Sequence, residues 1–307
     1  MVEAILPFPN VDPVLIHLGP LALRWYALSY IAGLLLGWWL IVKTLRQRSL
    51  WKNAPFKGKA PATPDDIGDL FVWVALGVII GGRLGYDLFY GTFFCGIWSG
   101  RDCGDLPMGY LANPLRLIAE WHGFVPELRG MSFHGGLIGV AVALVLFCRN
   151  RKLNTFQLGD LIATVAPIGL FFARIANFIN AELWGKASDA PWAMVFCTQN
   201  VIKTYGGCPA GLEPRHPSQL YEAALEGLVL FAIMQICLRV FRLHERPGLL
   251  IAIFLTGYGA ARFFVEFFRD SESMIYGWFS MGMALSLPMW AAAAFFFWYA
   301  LRKPATA

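Results

Sequence analysis

Gly248-Leu-Leu-Ile-Ala-Ile-Phe-Leu-Thr-Gly-Tyr258-Gly-Ala-Ala-Arg262-Phe-Phe-Val-Glu266-Phe-Phe268 decides the fold. A helix needs about 20 mostly apolar residues to cross the roughly 30 Å hydrocarbon core of a bilayer, and this run has that length and composition. Its polar members Tyr258, Arg262 and Glu266 recur at i, i+4 and i+8, which places them on one helical face. Six further runs of the same kind, at about 21–42, 67–90, 132–148, 158–179, 217–238 and 280–301, are separated by charged or Pro/Gly-rich stretches. The prediction is an all-α polytopic membrane protein of about seven transmembrane helices, forming one integral-membrane domain over 1–307.

Composition agrees. The 307 residues are 57% hydrophobic and 15% charged, with a mean hydropathy of +0.55, whereas soluble domains run at about 45–50% apolar and about 25% charged. Disordered and collagen-like chains are excluded. The net charge of +5 does not point to nucleic acid, because the Lys and Arg are scattered among hydrophobic runs and form no basic face. Residues 1–20 contain Glu3 and Asp12 but no Lys or Arg, unlike the positive start of a cleavable signal peptide, so the first run is expected to be retained. Neither a repeat of fixed period nor an inverted pair of interrupted helices is visible.

Lys and Arg concentrate in the segments after spans one, three, five and seven, which hold fourteen of them, against seven in the longer remaining segments. Positive segments stay cytoplasmic, so the N-terminus is predicted outside and the C-terminus in the cytoplasm. The two long loops, about 91–131 and 180–216, then face outward. Four of the six cysteines, Cys95, Cys103, Cys197 and Cys208, fall in those loops, while Cys148 and Cys237 lie near cytoplasmic span ends. In an oxidising compartment the outer four can pair. The local pairs Cys95 with Cys103 and Cys197 with Cys208 are favoured over the other connectivities and over four free thiols.

Charge inside a span costs at least about 2.5–3.5 kcal/mol at the helix centre on the insertion scale, so each instance calls for a partner or a role. Arg24, Arg83, Arg174 and Arg262 qualify, and the predicted topology places all four at one depth, toward the outside. Tyr26 and His134 open their spans at the same level, and Glu222 and Glu226 occupy the outer half of the fifth. Arg83 with Asp87 and Arg262 with Glu266 also read as plain intrahelical ion pairs, and Arg24 is close enough to the surface to snorkel. Arg174 has no carboxylate three or four residues away. Its counter-charge must come from another helix or from an anionic ligand; its planar fork suits phosphate, and a phospholipid headgroup is the natural candidate.

Two segments carry further chemistry. Gly130-Met131-Ser132-Phe133-His134-Gly135-Gly136-Leu137 sets a hydroxyl and an imidazole beside small residues, although a single histidine is more often structural. From Arg174 to Gly185 one guanidinium, the amides Asn177 and Asn180, and the carboxylate Glu182 reach the membrane surface within twelve residues. Capping is the bland alternative for Asn180 and Glu182. No metal-ligating spacing and no nucleotide-binding loop occurs, so no metal and no cofactor is expected.

These segments resemble the bacterial prolipoprotein diacylglyceryl transferases. The resemblance rests on Ser132 to Leu137, on Arg174 to Gly185, on Arg215-His216-Pro217-Ser218-Gln219-Leu220-Tyr221-Glu222, and on Gly257-Tyr258-Gly259 with Arg262, Glu266, Phe267, Phe268 and Arg269. Trp25-Tyr26 and Gly81-Gly82-Arg83-Leu84-Gly85-Tyr86 are weaker echoes, and all run in family order. Ala173, Ala176 and Ala181 stand where the family commonly has glycine, and the loop from Cys95 to Asn113 is longer than the family pattern. The resemblance implies transfer of the sn-1,2-diacylglyceryl group of phosphatidylglycerol to the lipobox cysteine thiol of a preprolipoprotein. A thioether forms and glycerol 1-phosphate leaves. It further implies a bacterial cytoplasmic (inner) membrane location, with the active site toward the periplasm. His134 would act as general base or thiol-orienting group, and Arg174 and Arg262 as phosphate binders. Tyr26, Asn177, Glu182 and Gly185 would serve the headgroup, and Tyr258 and Glu266 would support Arg262. Arg83, Gly135 and Gly136 are secondary candidates, and His216 competes with His134 as base.

Two readings from other classes compete. An intramembrane serine protease fits the Gly-x-Ser-x form of Gly130 to Phe133, but Ser132 and His134 are two residues apart and point differently on a helix. An anion transporter would use the same arginines, yet permeation needs polar residues along the whole path, and the cytoplasmic halves of the spans are apolar.

Overall fold

The computed structural model describes residues 6–18, 21–86, 120–122, 125–127, 132–270, 274–276 and 279–302. The described helices are α1 Trp25–Arg46, α2 Pro64–Tyr86, α3 Phe133–Arg151, α4 Thr155–Ile179, the short α5 Gln199–Tyr205, α6 Ser218–Arg239, α7 Leu249–Val265 and α8 Met281–Arg302. Five of them, α1, α2, α4, α6 and α8, are long and apolar enough to cross a membrane, and α7 is a shorter apolar helix. The seven predicted runs coincide with α1 to α4 and α6 to α8, with ends shifted by a few residues.

Two shifts have local causes. The first run begins with strand rather than helix: Leu21–Arg24 pairs antiparallel with Val14–Leu18. The indole of Trp25 donates to the carbonyl of Asp12 at 3.1 Å, so this hairpin is tied to the first turn of α1. The second helix starts earlier than 67 because Pro64 occupies its first position and Thr63 and Asp66 exchange hydrogen bonds, the Asp66 amide with the Thr63 hydroxyl (3.2 Å) and the Thr63 amide with the Asp66 carboxylate (2.9 Å). Proline at the first turn and a reciprocal cap both favour initiation there.

The chain forms two compact units, 62–155 and the remainder. In the first, α2 and α3 pack against each other through glycines. A Cβ on Gly135 would sit 2.2 Å from the carbonyl oxygen of Gly81 and 2.7 Å from the Cα of Gly85, so only glycine permits this approach. Ser132 caps α3, accepting from the amide of Gly135 at 3.3 Å, while its own amide donates to the Gly82 carbonyl at 2.8 Å. At the far end Arg151 pairs with Asp66 at 3.7 Å and with Asp69.

In the other unit successive long helices alternate in direction. The Tyr26 end of α1 meets the Asn177 end of α4, and the Glu222 end of α6 meets Arg174 of α4 and Arg262 of α7. At the opposite end Arg239 of α6 bonds Gln47 at 2.6 Å and Thr44 at 3.4 Å, just beyond and within the last turn of α1. Residues 180–216 fold rather than loop. They carry α5, the disulfide Cys197–Cys208 of the expected local pair, and a small core of Ala181, Phe196, Val201 and Ala210 that Phe8 of the N-terminal segment completes. Leu6–Pro7 pairs parallel with Met194–Val195 along its edge. Cys95, Cys103, Asp87 and most of 91–131 lie outside the described residues.

His244 gives this unit a pH dependence. Its Nε2 lies 2.8 Å from the Leu50 carbonyl, its ring contacts Trp51 and Phe56, and Nδ1 is enclosed without a hydrogen-bond partner. Glu245 and Arg242 are the charges nearest it, acting in opposite directions. Burial pushes the imidazole below the ordinary histidine value, so the folded state holds it neutral while the unfolded chain protonates first. The contribution is whole above about pH 6.5 and is lost as pH falls from there toward the lowered folded value, by up to about 1.4 kcal/mol per pH unit. Thermal unfolding in detergent from pH 8 to 5.5 should show this slope, and His244→Gln should flatten it.

Candidate active site

The central feature of the larger unit is a cluster of three guanidiniums and three carboxylates. α6 supplies Glu222 and Glu226, with Glu222 closing its first α-helical turns and Glu226 inside a wider π turn over Ala223–Val229. Such a turn inside an α-helix alters the angular spacing of side chains and is common at functional sites. Here both carboxylates meet α4. Nη1 of Arg174 lies 3.3 Å from Glu222, and its Nε and Nη2 donate to Glu226 at 3.3 and 3.2 Å. Arg262 of α7 binds Glu222 as well and pairs with Glu266 at 3.0 Å, one turn on. Arg269, just past α7, reaches Glu222 at 3.2 Å.

One carboxylate therefore ties together two helices and the segment that follows α7. Its position is asymmetric in a way that matters. The carboxylate side chains are 0–2% exposed, whereas those of the three arginines retain 15–16%. The glutamates are enclosed, and the arginine side chains keep what exposure the cluster has. Three formal positive charges and three negative ones offset one another, which is what allows so many ionised groups among apolar helices.

Beside this cluster lies a second, softer polar group. The amide nitrogen of Asn177 donates to the hydroxyl of Tyr26, which donates to Glu182 at 3.1 Å. Tyr205 of α5 shares its hydroxyl hydrogen between the other oxygen of Glu182 (3.3 Å) and the Asn180 carbonyl (3.0 Å). Gln219 donates to the backbone carbonyl of Glu182. Ala181 and Leu183 have φ of 52° and 56°, a left-handed conformation in which glycine would be unstrained. Ala181 packs its methyl into the Phe8–Phe196 core. Tyr26 is within electrostatic reach of Arg174, and Tyr258 within reach of Glu226, Arg174 and Arg262.

Gly185 closes the arrangement. Its amide donates to the His216 carbonyl at 2.8 Å, and a Cβ there would fall 2.6 Å from the carbonyl oxygens of both His216 and Phe268. Arg215 fixes the same junction, donating to the Gly185 carbonyl at 3.2 Å and pairing with Asp270 at 2.6 Å. His216 itself is committed. The indole of Trp192 donates to the Tyr221 hydroxyl at 2.6 Å, and the same hydroxyl lies 2.9 Å from Nδ1 of His216, in a hydrogen bond whose direction follows the tautomer of the ring. Burial pushes the His216 imidazole below the ordinary histidine value.

The cluster thus brings together Arg174, Arg262, Glu266 and Tyr258, with Tyr26, Asn177, Glu182 and Gly185 in the same unit. His134, Gly135, Gly136 and Arg83 belong to the 62–155 unit. There Gly135 serves helix packing, Gly136 has ordinary clearance from Val78, and Arg83 is buried with its guanidinium 5.8 Å from the Tyr86 ring centroid. Sequence reasoning missed Arg269, which the family segment contained, and did not pair Glu222 and Glu226 with Arg174.

Comparison with known families decides between the readings. Residues 13–299 match the family model described as prolipoprotein diacylglyceryl transferase. The chain belongs to that family. Similar proteins named phosphatidylglycerol–prolipoprotein diacylglyceryl transferase come from Rhodospirillum rubrum (49% identical, covering 97% of this chain and 96% of the relative), Rhizobium meliloti (46%, 94% of each) and Phenylobacterium zucineum (44%, 97% and 96%). Membership makes the chain a diacylglyceryl transferase, and its apolar helices make it a membrane protein. In such a transferase Ser132 is a helix cap, in contrast to the nucleophile that the protease reading requires. Ser132→Ala should lower stability by about 1 kcal/mol and leave turnover within threefold; loss of turnover in a folded variant would return the hydroxyl to the chemistry.

Proposed function

We propose that this chain transfers the sn-1,2-diacylglyceryl group of phosphatidylglycerol to the lipobox cysteine of a preprolipoprotein in the bacterial inner membrane. The thiol sulfur attacks the glyceryl carbon that bears the phosphate, an S–C bond forms, the C–O bond breaks, and glycerol 1-phosphate departs. The observation that carries this reading is Arg174 and Arg262, on separate helices, sharing the buried Glu222 while their own side chains keep some exposure.

The chemistry needs that arrangement. A phosphodiester with one negative charge becomes a monoester approaching two, and donors already aimed at the developing charge stabilise it without reorganising. The glutamates hold the forks in place before lipid arrives. Tyr26, Asn177 and Glu182 position the headgroup, with Gly185 keeping their segment against His216 and Phe268. Tyr258 and Glu266 support Arg262. The free thiol has a pKa near about 8.5 and reacts as thiolate; His134 takes its proton or orients it, with His216 the competing candidate for that role.

Topology follows from the distribution of Lys and Arg. The N-terminus lies outside, the C-terminus in the cytoplasm, seven helices cross, and the arginine cluster faces the periplasm. The Cys197–Cys208 disulfide suits an oxidising compartment on that side. Incubating the purified protein with phosphatidylglycerol and a lipobox peptide should yield a peptide heavier by one diacylglyceryl group and an equal amount of glycerol 1-phosphate. A Cys→Ser peptide should yield neither, and phosphate ester release without thioether would contradict the reading.

A further inference from the structure

Asp160 lies in the second turn of α4, enclosed to 2% exposure, at the end of the helix remote from Arg174. Its carboxylate accepts from two backbone amides of another helix: Gly248 donates to Oδ2 at 2.7 Å and Ile251 to Oδ1 at 2.9 Å. These amides open α7. The first amides of any helix lack intrahelical partners, and among apolar helices an unmet amide is costly. The capping position of α7 is Gly248, at φ 94°, which brings no side-chain acceptor of its own. The start of α7 is therefore capped from α4.

The spacing beyond that joint is equal on the two helices. Arg174 follows Asp160 by fourteen residues, and Arg262 follows Gly248 by fourteen. At 1.5 Å per residue the backbone of each arginine stands about 21 Å along its helix from the joint, and the two helices run in the same direction. The guanidiniums have to arrive at one height, because both bind Glu222. A slip of α7 by a single residue would move Arg262 by about 1.5 Å and turn it by about 100°, enough to break its bonds to Glu222 and part the two forks.

We propose that Asp160 is a positioning residue of the transferase: by capping α7 from α4 it fixes the register in which Arg174 and Arg262 present one phosphate site. The inference rests on the phosphate-binding reading of those arginines, and its test separates the two. Full-length variants are assayed with phosphatidylglycerol and lipobox peptide, with thermal unfolding measured alongside. Asp160→Ala should lower kcat tenfold or more with little change in KM for the peptide, and Asp160→Asn, which keeps one acceptor oxygen, should recover most of that loss. In an Arg262→Lys background the Asp160→Ala effect should shrink below threefold, since the height of a missing fork no longer matters. Wild-type kcat in folded Asp160→Ala, or losses that multiply in full with those of Arg262→Lys, would overturn the proposal. Should Asp160→Ala fail to accumulate, Asp160→Glu decides: it keeps the charge but lengthens the arm, so reduced kcat in a stable protein supports the register role and wild-type kcat removes it. An Arg262→Lys enzyme of full activity would instead sink the phosphate reading itself, whatever Asp160 does.

Discussion

Arg174→Lys is expected to lower kcat/KM by about 10²–10³ while the protein remains folded. Lysine keeps the charge but offers one nitrogen where the guanidinium offers three, and Arg174 uses all three, Nε and Nη2 on Glu226 and Nη1 on Glu222. A compact ammonium cannot bridge both carboxylates and still present a planar fork to a phosphate. The magnitude is that of removing one preorganised donor from a developing anion, about 2.7–4 kcal/mol. Steady-state kinetics with both substrates measures it. A loss confined to threefold would mean that charge alone suffices and that the bidentate role is wrong.

The second large effect falls on stability. Glu222→Ala leaves Arg174, Arg262 and Arg269 without the carboxylate that all three share. Removing one partner from a buried ion pair typically costs about 3–5 kcal/mol, because the remaining charge is stranded. Glu222→Ala should fall in or above that range, seen as a lowered midpoint of thermal unfolding in detergent. The double variant Arg174→Ala with Glu222→Ala should lose less than the sum of the two single changes, since the stranded charge is then partly gone. Strict additivity would show that the carboxylate does not hold the guanidiniums together.

Much of this architecture is legible in the sequence. Apolar runs gave the helices to within a few residues, since a bilayer imposes a length that composition reveals directly. Placing Arg174 and Arg262 at one depth needed only the alternating direction of successive runs. The i, i+4 pair of Arg262 with Glu266 follows from helical geometry alone. What stayed hidden depends on rotation and on contacts across long sequence separations. Glu222 and Glu226 lie about fifty residues from Arg174, and nothing in the local pattern says which face of α6 turns toward α4, least of all through a π turn. Arg269 reads as an ordinary charge after a span until the chain is seen to fold back onto Glu222. The strand at Leu21–Arg24 is apolar enough to pass for helix, and only its pairing with Val14–Leu18 reveals it. Asp160, inside an apolar helix, announces a need for partners but not that they are backbone amides of α7.

The most direct test of the central claim is an experimental structure of the protein with phosphatidylglycerol bound. The account predicts the lipid phosphate in front of Glu222, with its oxygens within hydrogen-bond distance of the guanidiniums of both Arg174 and Arg262 and the headgroup glycerol beside Tyr26, Asn177 and Glu182. A phosphate held elsewhere, with both guanidiniums still turned wholly to their glutamates, would contradict it.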